Sequence, residues 1–366
     1  MSTFDVAIAG GGLIGVSIAW ELAGAGLHVV VLDRQEPGRE ASWAAAGMLA
    51  PAPESERDIS LTELGIASLD LYPNFSAAIE NESKKTASYA TTGTREIFDA
   101  SSQRDQKFSL YQRLGIRAEV TFTDGREGIW LPDEASVDPR ALFSAALAAA
   151  KQRGVEIRGA CAVSELFFER GCCIGVFAGE KIVAKHVVIA AGCFSGKLLA
   201  TSKSGAAYAP TRPVRGQMIA LRKDGVSLSH VLRSATGYLV PRADGRIVAG
   251  STSEEAGFEK ETTPQGLQKI FNTAVNLCPA LKGAEFAESW SGLRPGTPDD
   301  LPIVGPTDIP GLLVATGHYR NGILLAPITA QLVRKWVLGE PVETNMEQFS
   351  PLRFRKENWT KNPAAI

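Results

Sequence analysis

The sequence predicts a mixed α/β fold, α+β overall, in which a parallel-sheet nucleotide-binding domain is interrupted by an antiparallel-sheet domain. Three observations carry that expectation. Residues 4–34 read as strand, glycine turn, helix, strand and acidic stop; apolar runs at residues 6–10, 187–192 and 312–317 each end in small residues and glycine; and the stretches between them turn to short alternating strands.

The opening unit comes first in the chain and in the argument. Val6, Ala7, Ile8 and Ala9 form an apolar run, Gly10-x-Gly12-x-x-Gly15 follows at once, and residues 27–32 form a second run that stops at Asp33. Leu13, Ile14, Ile18, Ala19 and Leu22 give the helix between them one buried face, and Gly24 and Gly26 end it. This is the spacing of a βαβ unit for a dinucleotide. Gly10 takes the backbone angles of the turn, Gly12 lets the main chain approach a pyrophosphate, and Gly15 lets the helix pack on the strand. Asp33 is placed to accept hydrogen bonds from an adenosine ribose, which disfavours a 2′-phosphate and leaves NAD and FAD both open.

After a polar turn at residues 34–40 comes Ala41-Ser42-Trp43-Ala44-Ala45-Ala46-Gly47-Met48, small residues that let something bulky approach the backbone. A helix is expected over residues 61–79, with Leu64, Ala67, Leu71 and Phe75 on one face. From 89 to 131 the pattern changes to strands at 95–98 and 129–131 around a polar helix at 103–114, which argues for a second, sheet-based domain. Asp138 then caps a helix with Pro139 in its first turn, Gly154 ends it, and a strand follows at 155–157. A β-meander is expected over 163–183 and a separate buried strand over 187–192. Residues 213–293 return to strands at 217–221, 238–241, 246–251 and 288–291, with Ala243-Asp244-Gly245 as hairpin turn and a helix from Thr263-Pro264 to Leu277. The last unit joins the strand at 312–317 to an apolar helix over 324–338, whose amino end offers N–H groups and partial positive charge to a cofactor ring. Beyond Pro351 the polar, basic tail reads as a surface-packed or frayed terminus.

Ligands of open parallel sheets collect at the carboxyl ends of strands, so the glycine-ended strands are expected to face one extended cofactor. With 366 residues, 45% of them hydrophobic, and a net charge of −2, the chain can form two domains and nothing recommends a nucleic-acid partner. No apolar run approaches membrane-spanning length and the first strand begins near Met1, so a cytoplasmic protein is expected. Cys161, Cys172, Cys173, Cys193 and Cys278 lack metal-ligand spacing and are expected as reduced thiols. His28, His186, His230 and His318 form no ligand pattern, no metal is expected, and of the four only His318 falls near the cofactor.

Together the glycine motif, Ala44-Ala45-Ala46-Gly47-Met48, residues 187–192, Gly292-Leu293-Arg294-Pro295-Gly296-Thr297 and Gly317-His318-Tyr319-Arg320-Asn321-Gly322-Ile323-Leu324 resemble the D-amino-acid-oxidase-like FAD enzymes, nearest to the glycine oxidases of thiamine biosynthesis. The resemblance implies a Rossmann-like FAD-binding domain (1–88, 138–210, 295–366) and a substrate domain (89–137, 211–294). It implies non-covalent FAD held by Gly10, Gly12, Leu13, Ile14, Gly15, Asp33, Arg34, Ser42, Ala45, Ala46, Gly47, Met48, Val163, Ala191, Gly192, Arg294, His318, Arg320, Asn321, Gly322, Ile323 and Leu324. Arg294, placed between a strand and the Pro295-Gly296 turn, matches the arginine that binds a substrate carboxylate. Tyr238 matches the tyrosine that adds a further hydrogen bond, and Arg320 the arginine at the mouth of the site. The implied reaction is hydride transfer from a small amine or amino acid (glycine, sarcosine, D-alanine) to flavin N5, giving the imine, with oxygen as acceptor and peroxide as product. Alternatives are a D-amino-acid dehydrogenase with another acceptor, a flavin-binding subunit without turnover, and an NAD-dependent dehydrogenase. Thr236 and Ser253 depart from the histidine and methionine of the glycine-oxidase pattern, which makes a smaller, more polar pocket wall and leaves the preferred amine open. The oligomeric state also stays open, a homo-oligomer included.

Overall fold

The computed structural model describes residues 3–201 and 208–355, whose strands fall into two eight-stranded sheets and a small two-stranded one. The first sheet runs Ile303–Pro306, Leu312–Thr316, Lys181–Ile189, Thr3–Ala9, Val29–Leu32, Glu156–Arg158, with the hairpin Glu165–Glu169 and Cys172–Phe177 branching off. From Leu312–Thr316 to Glu156–Arg158 every neighbour is parallel. The glycine-ended strands are therefore consecutive, and their carboxyl ends open on one side.

Strand alternation explains the layers. Val6, Ile8, Val29, Val31 and Val188 point to a core shared with the helices Leu13–Gly24, Ile59–Ser83, Pro139–Gln152 and Ala326–Leu338; Ala7, Ala9, Val30, Leu32, Val187 and Ile189 point to a second core under the hairpin. Asp138 caps its helix through its carboxylate, accepting from Arg140 N–H at 2.9 Å, as the sequence led us to expect. Gly15 closes the first helix onto the first strand, since a Cβ there would lie 2.0 Å from Gly10 O. Gly15→Ala is expected to cost about 1–3 kcal/mol of stability through this overpacking, read as a lower urea midpoint at unchanged slope.

The second sheet runs Glu285–Gly296, Arg212–Arg222, Ile247–Gly250, Gly237–Pro241, Val231–Ser234, Thr94–Phe98, Arg126–Leu131, Glu119–Thr123, antiparallel except where Val231–Ser234 meets Thr94–Phe98. Helix Pro264–Leu277, capped by Thr263, covers one face through Ile270, Ala274 and Leu277. The opposite face, with Met218, Val240, Val248 and Trp290, packs on Ala44 and Ala46. That contact lays the second sheet over the carboxyl ends of the first.

Three expectations change, and two strands are added. The strand expected at 187–192 starts at Lys181, because the last arm of the meander and the buried strand are one nine-residue element, Lys181–Ile189, that pairs with the hairpin along one part and with parallel neighbours along the other. Arg294 lies inside a strand rather than before a turn: Glu285–Gly296 continues past it, with Val214 opposite Arg294 and Pro213 opposite Pro295. The last helix begins at Ala326, not Leu324, because residues 321–325 form a turn in which Leu325 N–H bonds Asn321 O. Val231–Ser234 and Glu119–Thr123 were not anticipated. The polar tail lies outside the described residues past 355, the five cysteines are free, and no described helix is long and apolar enough to cross a membrane.

Candidate functional site

Between the sheets lies a cavity of about 1200 Å³, lined at one end by Gly10, Gly12, Ile14, Asp33, Arg34 and Ser42 and at the other by Tyr238, Arg294 and Ser251. At the first end the helix Leu13–Gly24 points its amino terminus into the space. Ser42 Oγ accepts the Leu13 N–H at 2.9 Å, whereas the N–H groups of Gly12 and Ile14 have no partner among the described residues. Orphan N–H groups at the positive end of a helix suit an anion such as a pyrophosphate. Asp33 accepts Gly11 N–H at 2.8 Å and Gln35 N–H at 3.0 Å, one on each oxygen, and keeps lone pairs for a ligand hydroxyl. Burial raises its carboxyl above the usual value, against the pull of those two N–H groups. Arg34 lies 3.6 Å over the Phe194 ring and pairs with Glu40.

The middle of the wall is made of Ala45, Ala46, Gly47 and Met48 on one side and Val163, Ala191, Gly192 and residues 318–323 on another. His318 turns its ring to Thr329 Oγ1 at 3.0 Å, and burial lowers its pKa to about 3. It is therefore neutral at working pH, with its Nε2 committed to Thr329. Tyr72 and Ser68 on the long helix donate to Ile323 O at 2.5 Å and Leu324 O at 2.6 Å, fixing the turn before the last helix.

At the far end Arg294 donates to Ser251 Oγ at 2.7 Å and Thr252 O at 3.1 Å. Its guanidinium lies against Gly216, where a Cβ would come within 2.4 Å of it, and among the described residues it has no carboxylate partner. Tyr238 sits on the same sheet with its hydroxyl 3.4 Å from Met218 Sδ. Arg320 is 5.1 Å from the Tyr319 ring centroid and 3.5 Å from its hydroxyl, which also meets Ser253 Oγ at 3.5 Å. Burial pushes the Tyr319 phenol up, but the Ser253 hydrogen bond and the Arg320 charge outweigh it and hold it below the ordinary value. Tyr319 has φ 47°, a left-handed conformation unusual for a tyrosine, and its N–H bonds Pro295 O at 3.2 Å.

The cavity thus gathers nearly all the residues expected from sequence. Leu13, Gly15 and Leu324 are the exceptions: Leu13 and Leu324 are buried at 1% and 3% exposure and Gly15 lies between helix and strand, so they support the site from behind. Sequence reasoning missed Gly216, Met218, Ser251, Arg57 and Tyr319, all of which line the cavity. Gly216, directly before the strand expected at 217–221, was the one usable signal, since strand glycines mark close approach.

A family model described as DAO, FAD dependent oxidoreductase, matches residues 5–336. The chain belongs to this FAD-dependent oxidoreductase family. FAD is its cofactor, and the helix amino end with its unpartnered N–H groups, the alanine and glycine wall and the cavity volume fit that molecule. Among family relatives, glycine oxidase of Pseudomonas putida is 33% identical over 354 residues, covering 92% of this chain and 96% of that protein. The bifunctional protein ThiO/ThiG of Synechocystis sp. is 36% identical across 100% of this chain, which spans only 56% of that relative's length. The crystal structure of glycine oxidase from Geobacillus kaustophilus superimposes with a TM-score of 0.90 at 27% identity, covering 96% of this chain and 99% of that one.

Proposed function

We propose that the protein oxidises glycine, or a similarly small amine or amino acid such as sarcosine or D-alanine, to the imine, with oxygen reduced to hydrogen peroxide, in the cytoplasm and in the service of thiamine biosynthesis. The observation that carries this reading is Arg294, a cavity-lining guanidinium that bonds Ser251 and Thr252 and has no carboxylate partner among the described residues, in the same cavity that Tyr238 lines. The similarity to glycine oxidases and to ThiO/ThiG supports the substrate and the pathway.

Bound FAD supplies the acceptance of two electrons from the substrate and their return to oxygen. The chain supplies orientation. Arg294 takes the carboxylate in a two-pronged, charge-assisted grip, and Tyr238 adds a hydroxyl donor. Cofactor contacts fall to Gly12 and Ile14 for the pyrophosphate, Asp33 for the ribose, and Ala45 to Met48, Gly192 and Asn321 to Ile323 for the ring. Arg320 and Tyr319 hold the mouth. The reacting amine enters neutral, so no protein base is required, in keeping with a buried, neutral His318. Thr236 and Ser253 leave a polar wall near the substrate.

The test is spectroscopic. Glycine, sarcosine, D-alanine and D-proline are added in turn without air, and the oxidised-flavin band is followed. Glycine is expected to bleach it, and admitting air to restore it with one peroxide per amine oxidised. A band that no amine bleaches would sink the substrate reading, while bleaching without peroxide on aeration would make the protein a dehydrogenase for another acceptor.

A further inference from the structure

The segment that carries Ala45, Ala46 and Gly47 along the cavity wall is held from behind by two side chains of the second sheet. Trp290 Nε1–H donates to Ala44 O at 3.0 Å, and Arg242 donates through Nη2 to Ala46 O at 2.6 Å. Val137 N–H donates to Gly47 O at 2.8 Å. All three carbonyls are thus drawn away from the cavity. In a planar trans peptide the C=O of one residue and the N–H of the next point in opposite directions. Pinning Ala46 O toward Arg242 therefore turns the Gly47 N–H the other way, and among the described residues that N–H has no partner. Gly47 lines the cavity, while Arg242 and Trp290 line a separate small pocket on the other side of Ala45. Gly47 itself has φ 81°, and a Cβ there would strike Val137 O at 2.1 Å, so only glycine fits at this position.

Arg242 is also the residue that follows the strand Gly237–Pro241, four positions after Tyr238. One strand end thereby reaches both the substrate end of the cavity and the cofactor wall. We propose that Arg242 and Trp290 are positioning residues for the flavin: they fix the Ala44 to Gly47 main chain so that the Gly47 N–H is presented to the cofactor as a hydrogen-bond donor. This rests on FAD occupying the cavity as in the proposed function, and it assigns the tuning of the cofactor to residues that do not touch it. A donor aimed at the ring favours the more electron-rich oxidation state, so it raises the reduction potential of the bound cofactor.

Trp290→Phe removes one donor and keeps a smaller aromatic ring, and Arg242→Met removes the guanidinium and keeps an unbranched apolar stem. The double variant is expected to bind FAD about tenfold more weakly and to lose about tenfold of its preference for the reduced cofactor, a drop of about 30 mV for a two-electron couple. Arg246→Gln is the control, since the Arg246 side chain bonds Asp244 and Glu288 while its contact to Arg242 is through the backbone carbonyl, which the substitution keeps. It is expected to leave potential and affinity unchanged. Potentials are measured by anaerobic chemical reduction against a reference dye, with no amine present, so they stay readable even where glycine proves not to be a substrate. Wild-type potential and affinity in a folded double variant would overturn the proposal, as would a loss of Tm with neither quantity moved. If Arg242→Met does not accumulate, Trp290→Phe alone decides: a lower potential supports the assignment and an unchanged one overturns it. Arg242→Lys, which restores a donor, is expected to recover part of the shift.

Discussion

Arg294→Ala is expected to raise the KM for glycine by about two to four orders of magnitude while FAD remains bound. The magnitude follows from what a guanidinium does to a carboxylate. Two charge-assisted hydrogen bonds contribute about 1.5–3 kcal/mol each, and about 1.4 kcal/mol corresponds to a factor of ten. The substitution leaves little unsatisfied behind it: Ser251 Oγ and Thr252 O lose a donor at a site that opens onto the cavity. The fold therefore survives, and FAD affinity, which on the proposed reading rests mainly on the helix amino end and the Ala45 to Met48 wall, is expected to change less than threefold. Arg294→Lys keeps the charge and loses the planar fork, so an intermediate KM is expected. Steady-state kinetics on flavin-loaded protein, with FAD titrations of the apoprotein alongside, check both halves. A KM for glycine that does not move would remove Arg294 as the carboxylate anchor.

Residues whose chemistry depends on local spacing were legible in the sequence. Gly10, Gly12 and Gly15 have fixed steric jobs within one turn, Asp138 and Thr263 cap helices that follow at once, and glycine-ended strands announce a ligand edge. Residues whose position depends on register were harder to see. Lys181–Ile189 looks like two elements because its burial changes along its length as its partners change, from the hairpin Cys172–Phe177 to the parallel strands. Arg294 looks like a turn residue because Pro295 and Gly296 follow it, yet both lie in a strand paired to Arg212–Arg222. Arg242, Trp290 and Tyr319 act through partners more than a hundred residues away or through a backbone angle, and no local pattern encodes either. Family resemblance placed Tyr238 and Arg320; composition and periodicity alone could not.

Arg233→Met is expected to destabilise the protein by about 3–5 kcal/mol, and by more at pH 8 than at pH 5. Arg233 stands in the row of the second sheet next to Tyr238 on one side and Glu96 on the other. It donates to Glu134 Oε2 at 2.8 Å and Glu96 Oε2 at 3.1 Å, and Tyr111 donates to the same Glu96 oxygen at 2.6 Å. Arg233 and Glu134 are buried, and Glu96 nearly so. Burial alone would raise the Glu96 carboxyl, but the Arg233 charge and the Tyr111 hydroxyl hold it below the usual value; burial raises Glu134 in spite of the same arginine. In the native protein Glu96 thus contributes stability that is present above its ordinary pKa and is lost as pH falls through the lowered value. Glu134 works in the opposite sense, and its contribution is lost as pH rises through its raised value. Without Arg233 both carboxyls are governed by burial, both are raised, and each must take up a proton or remain as an uncompensated charge. Stability of the variant is then expected to fall as pH rises. Urea melts at pH 5 and pH 8 read this directly, with Arg233→Lys expected to recover part of the loss at pH 8. An equal loss at both pH values would mean that packing, and not the buried charges, accounts for the effect. Because Arg233 and Tyr238 are paired across adjacent strands, the surviving fraction of the variant is also expected to show a raised KM for glycine, coupling the ionic core of the second sheet to the substrate end of the cavity.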